Sequence, residues 1–134
     1  LSRHRVRSRA WRNVDKVNLG RLSSAALMLS GVAGIVAPQR VASALDLPAT
    51  TGRAVAETRA GLGGTFAALG ALALVSQERG AQAAVGVTWL GAAGARVASL
   101  KLDRPRTDWT FWAYLVAEIG LGMTALATRR SPRR

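Results

Sequence analysis

Four apolar stretches separated by polar breaks run along this chain, over about 17–37, 54–76, 81–100 and 109–127. Each has the length that one α-helix needs to cross a hydrocarbon core roughly 30 Å thick. The pattern predicts an all-α fold, a four-helix transmembrane bundle in up-down-up-down order. Residues 17–128 make the membrane domain, between a basic N-terminal arm (1–16) and a basic C-terminal tail (129–134). The arginines of the arm alternate with other residues, and a solvated or headgroup-bound arm is expected there rather than a strand.

The breaks carry the residues that stop helices. Pro38 closes the first helix, Pro48 and Gly52 interrupt 39–53, and Pro105 turns 101–108. Asn18, Thr50 or Thr51, and Asp108 are the expected N-caps, because a short side-chain oxygen accepts a first-turn N–H. Val41, Leu45 and Leu47 predict a short amphipathic turn lying on the membrane surface. The break at 77–80 is short, which predicts an antiparallel hairpin of the second and third helices.

Small residues recur at helical spacing. Ala26, Ser30 and Gly34 predict a packing face on the first helix. Ala60, Gly64 and Ala68 form one ridge on the second, and Gly63, Ala67 and Ala71 the next. Gly91 with Ala95, and Gly94 with Ala98, repeat the spacing on the third. Small side chains let helices approach closely where lipid supplies no hydrophobic drive between them. Gly61, Gly63, Gly64, Gly91, Gly94 and Gly122 are the expected helix-packing glycines.

A second reading of the first stretch competes. A basic run, an apolar run and then Ala42-Ser43-Ala44 also resemble a secretory signal with its cleavage site. The apolar run is at the long end for a signal, and Arg40 sits in the would-be cleavage region, so a retained helix is expected. Residue 1 is leucine, which fits a trimmed start or a non-ATG start codon translated literally.

Composition sharpens the picture. The 134 residues suit one domain. The 49% hydrophobic content is ordinary, but the charges crowd into the ends and one loop. There is no cysteine, which excludes a disulfide framework, thiolate metal sites and dithiol redox chemistry. The single histidine, His4, lies in the arm, so no histidine metal cluster is available. No metal or cofactor is expected.

The net charge of +12 fits nucleic-acid binding or membrane topology. Seven Lys/Arg fall within the first 21 residues and four within the last six. Flanking apolar helices, they read as residues held on the cytoplasmic side. No nucleic-acid motif or aromatic stacking platform is present, so the expected partner is the lipid bilayer and not nucleic acid. Four spans put both termini on the cytoplasmic side of a bacterial inner membrane. Lys101, Arg104 and Arg106 then fall outside, against the rule. Trp109, Phe111, Trp112 and Tyr114 crowd the start of the fourth helix like an aromatic belt, whereas Trp89 sits near mid-membrane as a packing residue.

Charges inside the apolar stretches need a local reason, because each is costly in lipid. Glu57 and Arg59 lie in the second, Arg96 in the third and Glu118 in the fourth. Glu57 and Arg59 are two apart, hence on different helix faces. Arg59 and Arg96 are each long enough to reach toward Glu118, with Glu57 or Asp103 as a second partner nearer the surface. Glu57, Arg59, Arg96, Asp103 and Glu118 form the candidate polar cluster. It reads either as ion pairs that fix helix register or as a site for an anionic headgroup, a quinone-like molecule or a proton.

At Glu57 to Gly64, E-T-R-A-G-L-G-G, the chain resembles a family of small bacterial four-helix membrane proteins known only as a domain of unknown function. Pro38 and the segment from Ala44 to Pro48 are similar to a short surface element that precedes the motif in that family. Gly94 to Asp103 resembles its arginine segment at the end of helix three, and Ala117 to Gly122 its fourth helix with a central Glu. The resemblance covers residues 19–127. It departs in one loop, where the family usually has a Gly soon after the Asp and Arg104-Pro105 follow Asp103 here. The resemblance implies four helices and a membrane location, and no known activity. The small DoxX-like four-helix membrane proteins are similar in outline only.

Three functions remain open on these residues. The first is a non-enzymatic accessory or interaction subunit, docking another membrane protein or a second copy of itself. The second is a lipid- or quinone-binding bundle with Arg59, Arg96 and Glu118 at the polar end of a pocket. The third is a proton-linked transporter, which requires an oligomer and lacks a visible inverted repeat with broken helices. An enzyme is the least expected, with no cysteine, no usable histidine, no phosphate loop and no nucleophile–base pair.

Overall fold

The structure, a computed structural model, describes residues 3–76 and 78–128, with side chains from residue 19 onward. The described residues are all-helical, with no strand among them. In chain order they form α1 (Arg3–Val36), α2 (Pro38–Ala44), α3 (Gly52–Glu57), a π-helical turn (Thr58–Gly64), α4 (Thr65–Ser76), α5 (Arg79–Leu102) and α6 (Trp109–Thr128). Four helices are long and apolar enough to cross a membrane: Leu19–Val36 of α1, the continuous rod Gly52–Ser76, α5 and α6.

The first helix departs from the expectation at its start. Helical backbone begins at Arg3 and passes through Asn18, which is therefore no N-cap. The alternating arginines do not stop it, because Arg is a good helix former and no Gly or Pro intervenes before Gly20. At 34 residues, α1 is about 51 Å long, well beyond a bilayer core. Pro38 then ends it as predicted and opens α2, where a missing N–H costs nothing.

The chain packs as two compact units, Ser24–Gln77 and Leu1–Ser23 with Glu78–Arg134. In the first, α1 meets the π turn and α4 in antiparallel fashion through glycine. A Cβ on Gly34 would lie 2.9 Å from Gly63 Cα, and one on Gly63 would lie 2.8 Å from Ile35 N. A Cβ on Gly31 would strike Ala67 N, and one on Gly70 would strike Met28 N. The face of α1 that packs here is Ser24, Leu27, Gly31 and Gly34, all buried. That corrects the predicted row. Gly34 belongs to the face, but Ser30 is exposed, because the contact follows mixed three- and four-residue steps and not a strict repeat of four.

In the other unit, α5 and α6 make an antiparallel hairpin. Gly86 and Gly122 sit at its crossing, where a Cβ on either would lie 3.1 Å from the other's carbonyl oxygen. The buried positions of α6, Leu115, Glu118, Gly122 and Ala125, keep three- and four-residue steps. On α5 the buried positions are Gln82, Val85, Gly86 and Ala93. Gly91 and Gly94 fall on the opposite side, and a Cβ there, as at Gly61, would meet nothing within 4 Å. The first turns of α1's apolar stretch pack on the end of α6: a Cβ on Gly20 would lie 2.5 Å from Thr128 Oγ1, and Ser23 Oγ donates to the Leu121 carbonyl (2.7 Å).

The loops are closed by specific caps. Thr51 Oγ1 accepts from Ala54 N (3.1 Å), as predicted for one of the two threonines. Asp108 Oδ1 accepts from Phe111 N (2.9 Å) and from Thr110 Oγ1 (2.6 Å). These hydrogen bonds, the Thr110 one foremost, hold the exposed Asp108 carboxyl below the usual carboxylate range. After α2, Asp46 takes a left-handed conformation (φ 56°), Asp46 N–H returns to Ser43 O and Leu47 N–H to Ala42 O. That reciprocal pattern ends a helix ahead of a proline, here Pro48. Arg104 does a similar job after α5, with φ 46° and its N–H on Ser99 O.

A candidate polar site in the α5–α6 hairpin

Two intramembrane-type charges meet between α5 and α6. Arg96 Nε donates to Glu118 Oε2 (3.1 Å) and Arg96 Nη2 to Glu118 Oε1 (2.7 Å). Two parallel bonds of this kind are the strongest geometry a guanidinium and a carboxylate can adopt. The helices dictate it. Arg96 lies on the packed side of α5 with Val85 and Ala93, and Glu118 lies in the buried row of α6 between Leu115 and Gly122. The Gly86–Gly122 crossing brings the two backbones close enough for the side chains to meet end to end.

The pair is walled by aromatic rings. The Arg96 guanidinium carbon lies 5.3 Å from the centroid of Phe111 and 5.5 Å from that of Tyr114. Both rings come from the turns of α6 that precede Glu118, so one helix supplies the anion and the cation–π faces. Glu118 is 7% exposed, and the Arg96 side chain retains 22%. Glu118 lies about 14 Å along α6 from Trp109, near the middle of any bilayer that α6 crosses. Among the described residues no buried side-chain nitrogen or oxygen lacks a hydrogen-bond partner.

Arg59 and Glu57 of the predicted cluster have partners of their own. Arg59 Nε donates to the Ile35 carbonyl (3.0 Å), inside Ser24–Gln77. Ile35 belongs to the last turn of α1, whose carbonyls have lost their intrahelical donors. A cation there also opposes the negative end of the helix dipole. Glu57 faces Arg53 (3.8 Å, one helical turn away), with both side chains mostly exposed, and such pairs contribute little. Asp103 is the exposed C-cap of α5, and among the described residues its carboxylate has no ion-pair partner.

The E-T-R-A-G-L-G-G stretch holds a feature that its sequence did not announce. Over Thr58–Gly64 the helix widens into a π turn, and Thr65 N–H returns to the Ala60 carbonyl, five residues back. Thr65 Oγ1 also reaches that carbonyl (3.4 Å). Three of the seven residues are glycine, which lets the backbone take the extra residue without crowding side chains. The signal available was the glycine density. Gly86, at the hairpin crossing, was likewise missed, because its spacing to other small residues is not regular. Ile35 was invisible too, since its role is played by a carbonyl.

The domain of unknown function DUF4345 matches residues 19–128. The chain belongs to this family. Its span begins where the apolar part of α1 begins and ends with α6, so it takes in the Arg96–Glu118 pair, the π turn and all four long apolar helices. No curated protein and no solved structure matches the chain.

Proposed function

We propose that this DUF4345 protein is a multi-pass membrane protein whose intramembrane charges hold helices together, and that it acts as a non-enzymatic accessory or interaction subunit. The observation that carries the reading is the closed Arg96–Glu118 pair. Both carboxylate oxygens accept from one guanidinium, and two rings cover that guanidinium. A carboxylate so engaged has little left for a ligand or a travelling proton. Arg59 is likewise occupied by a helix end. The four long apolar helices support the membrane location. The cytoplasmic membrane of a bacterium, with both termini cytoplasmic, is the placement that the basic ends favour.

The test compares purified wild type with Glu118→Gln, Arg96→Leu and the double variant Arg96→Leu/Glu118→Leu. Removing one partner of a buried pair costs about 3–5 kcal/mol, whereas an apolar replacement of both is close to neutral. Each single variant should therefore melt much lower in detergent, and the double variant should recover most of the loss. Mass spectrometry of co-purifying small molecules runs alongside. A defined lipid or quinone present in wild type, and lost in the double variant despite its recovered stability, would replace this reading with the ligand-binding one.

A further inference from the structure

Arg59 is a cation in an apolar rod, and one hydrogen bond fixes where its charge sits. Nε donates to the Ile35 carbonyl (3.0 Å). Ile35 is one residue short of Val36, where the first candidate span ends. The guanidinium therefore stands level with the end of that span, at the boundary between hydrocarbon and headgroups. The bond uses Nε alone. Among the described residues no acceptor meets the Nη nitrogens and no carboxylate pairs with them. Glu57, the nearest acid in sequence, faces Arg53 instead (3.8 Å). The surroundings are open and apolar. Arg59 is exposed, as are its neighbours Ala60 and Gly61 on the rod and Ile35 and Val36 on α1. A Cβ on Gly61 would meet nothing within 4 Å.

We propose that Arg59 binds the phosphate of a phospholipid in the leaflet where α1 ends, with Nε held by the protein and the Nη pair given to the lipid. N–H groups at the edge of hydrocarbon are costly to leave without acceptors. Phosphate is the acceptor that this level of a bilayer supplies, and a guanidinium matches two of its oxygens at once. The end of α1 carries roughly half a negative charge, so the site keeps a positive balance. The exposed Ile35 and Val36 give acyl chains an apolar surface beside it. Anchoring distinguishes Arg59 from other cations of this unit. Arg40 is exposed on α2, and among the described residues nothing holds its guanidinium in place. A side chain already fixed by the protein loses less freedom when it binds.

The experiment presents the full chain, purified in detergent, with phosphatidylglycerol or with diacylglycerol of the same acyl chains, which has no phosphate. Native mass spectrometry reads retention, and the unfolding midpoint reads stabilisation by the lipid. Wild type should retain phosphatidylglycerol over diacylglycerol and melt higher with it. In Arg59→Gln that preference should fall about fivefold or more. The rise in midpoint should vanish too, whatever the midpoint without lipid. Should Arg59→Gln lose helix content by circular dichroism, Arg59→Lys takes its place. It keeps the charge without the fork, and the preference should again fall. Arg40→Gln and the double variant Arg96→Leu/Glu118→Leu should keep the wild-type preference. Equal retention of the two lipids by wild type overturns the proposal, as does an undiminished preference in the Arg59 variant. An equal fall in Arg40→Gln, or a loss in the hairpin double variant, overturns it as well, by placing the lipid elsewhere. Excess inorganic phosphate should leave the lipid bound; displacement would assign the site to a free anion and overturn the lipid reading.

Discussion

Arg104 stands where a glycine would be easiest. Its φ of 46° lies in the left-handed region, which costs a residue with a Cβ about 1–2 kcal/mol, and its N–H is needed to close α5 on Ser99. The family resemblance had marked this loop as one that usually carries glycine soon after the aspartate, and the backbone supplies the reason. Arg104→Gly should therefore raise the midpoint of thermal unfolding in detergent, by an amount equivalent to about 1 kcal/mol. A lowered midpoint would mean that the arginine side chain contributes more than its backbone costs. Asp46 takes the same conformation more readily, because Asp and Asn tolerate it several-fold better than most residues. The deepest charges show a different economy of position. Glu118 is tolerable in a packed row of α6 because Arg96 donates to both its carboxylate oxygens, and Phe111 and Tyr114 cover that guanidinium.

At the scale of elements, the π turn is the device that sets the register of α4. One extra residue in a turn shifts everything after it by about 100° around the helix axis. Gly70 and Ala73 are buried as a result, and Gly70 presses its backbone on Met28 and Ser24. Deleting Gly61, where an added Cβ would meet nothing within 4 Å, should restore α-helical register and turn Gly70 and Ala73 off the α1 face. The deletion should lower the unfolding midpoint in detergent sharply, whereas Gly61→Ala should leave it nearly unchanged. If both variants melt alike, the π turn does not set the packing of α4. This is also where sequence reasoning ran short. The four long helices were legible because about 20 apolar residues in a row leave few alternatives, and the Thr51 and Asp108 caps because their chemistry is local. The Arg96–Glu118 meeting was legible as a possibility, since each charge demanded a partner. The π turn, the Arg59–Ile35 bond and the Gly86–Gly122 crossing were not, because each depends on how two backbones approach.

For the whole molecule the sharpest expectation concerns sides. The Gly20–Thr128 contact puts the base of the N-terminal extension next to the end of α6. On the proposed four-span topology, these two helix ends leave the bilayer on one side. The lysines and arginines of the arm and the tail then favour the cytoplasm jointly, and three basic residues in the 101–108 loop are too few to reverse them. The chain has no cysteine, so single reporters can be placed without background. Ser8→Cys and Ser131→Cys should both be shielded from a membrane-impermeant maleimide added to intact cells. Thr107→Cys should be labelled. Labelling of Ser8→Cys and Ser131→Cys with protection of Thr107→Cys would invert the orientation while keeping the four spans. Opposite behaviour of Ser8→Cys and Ser131→Cys would break the four-span reading itself, because an even number of crossings cannot separate the two ends.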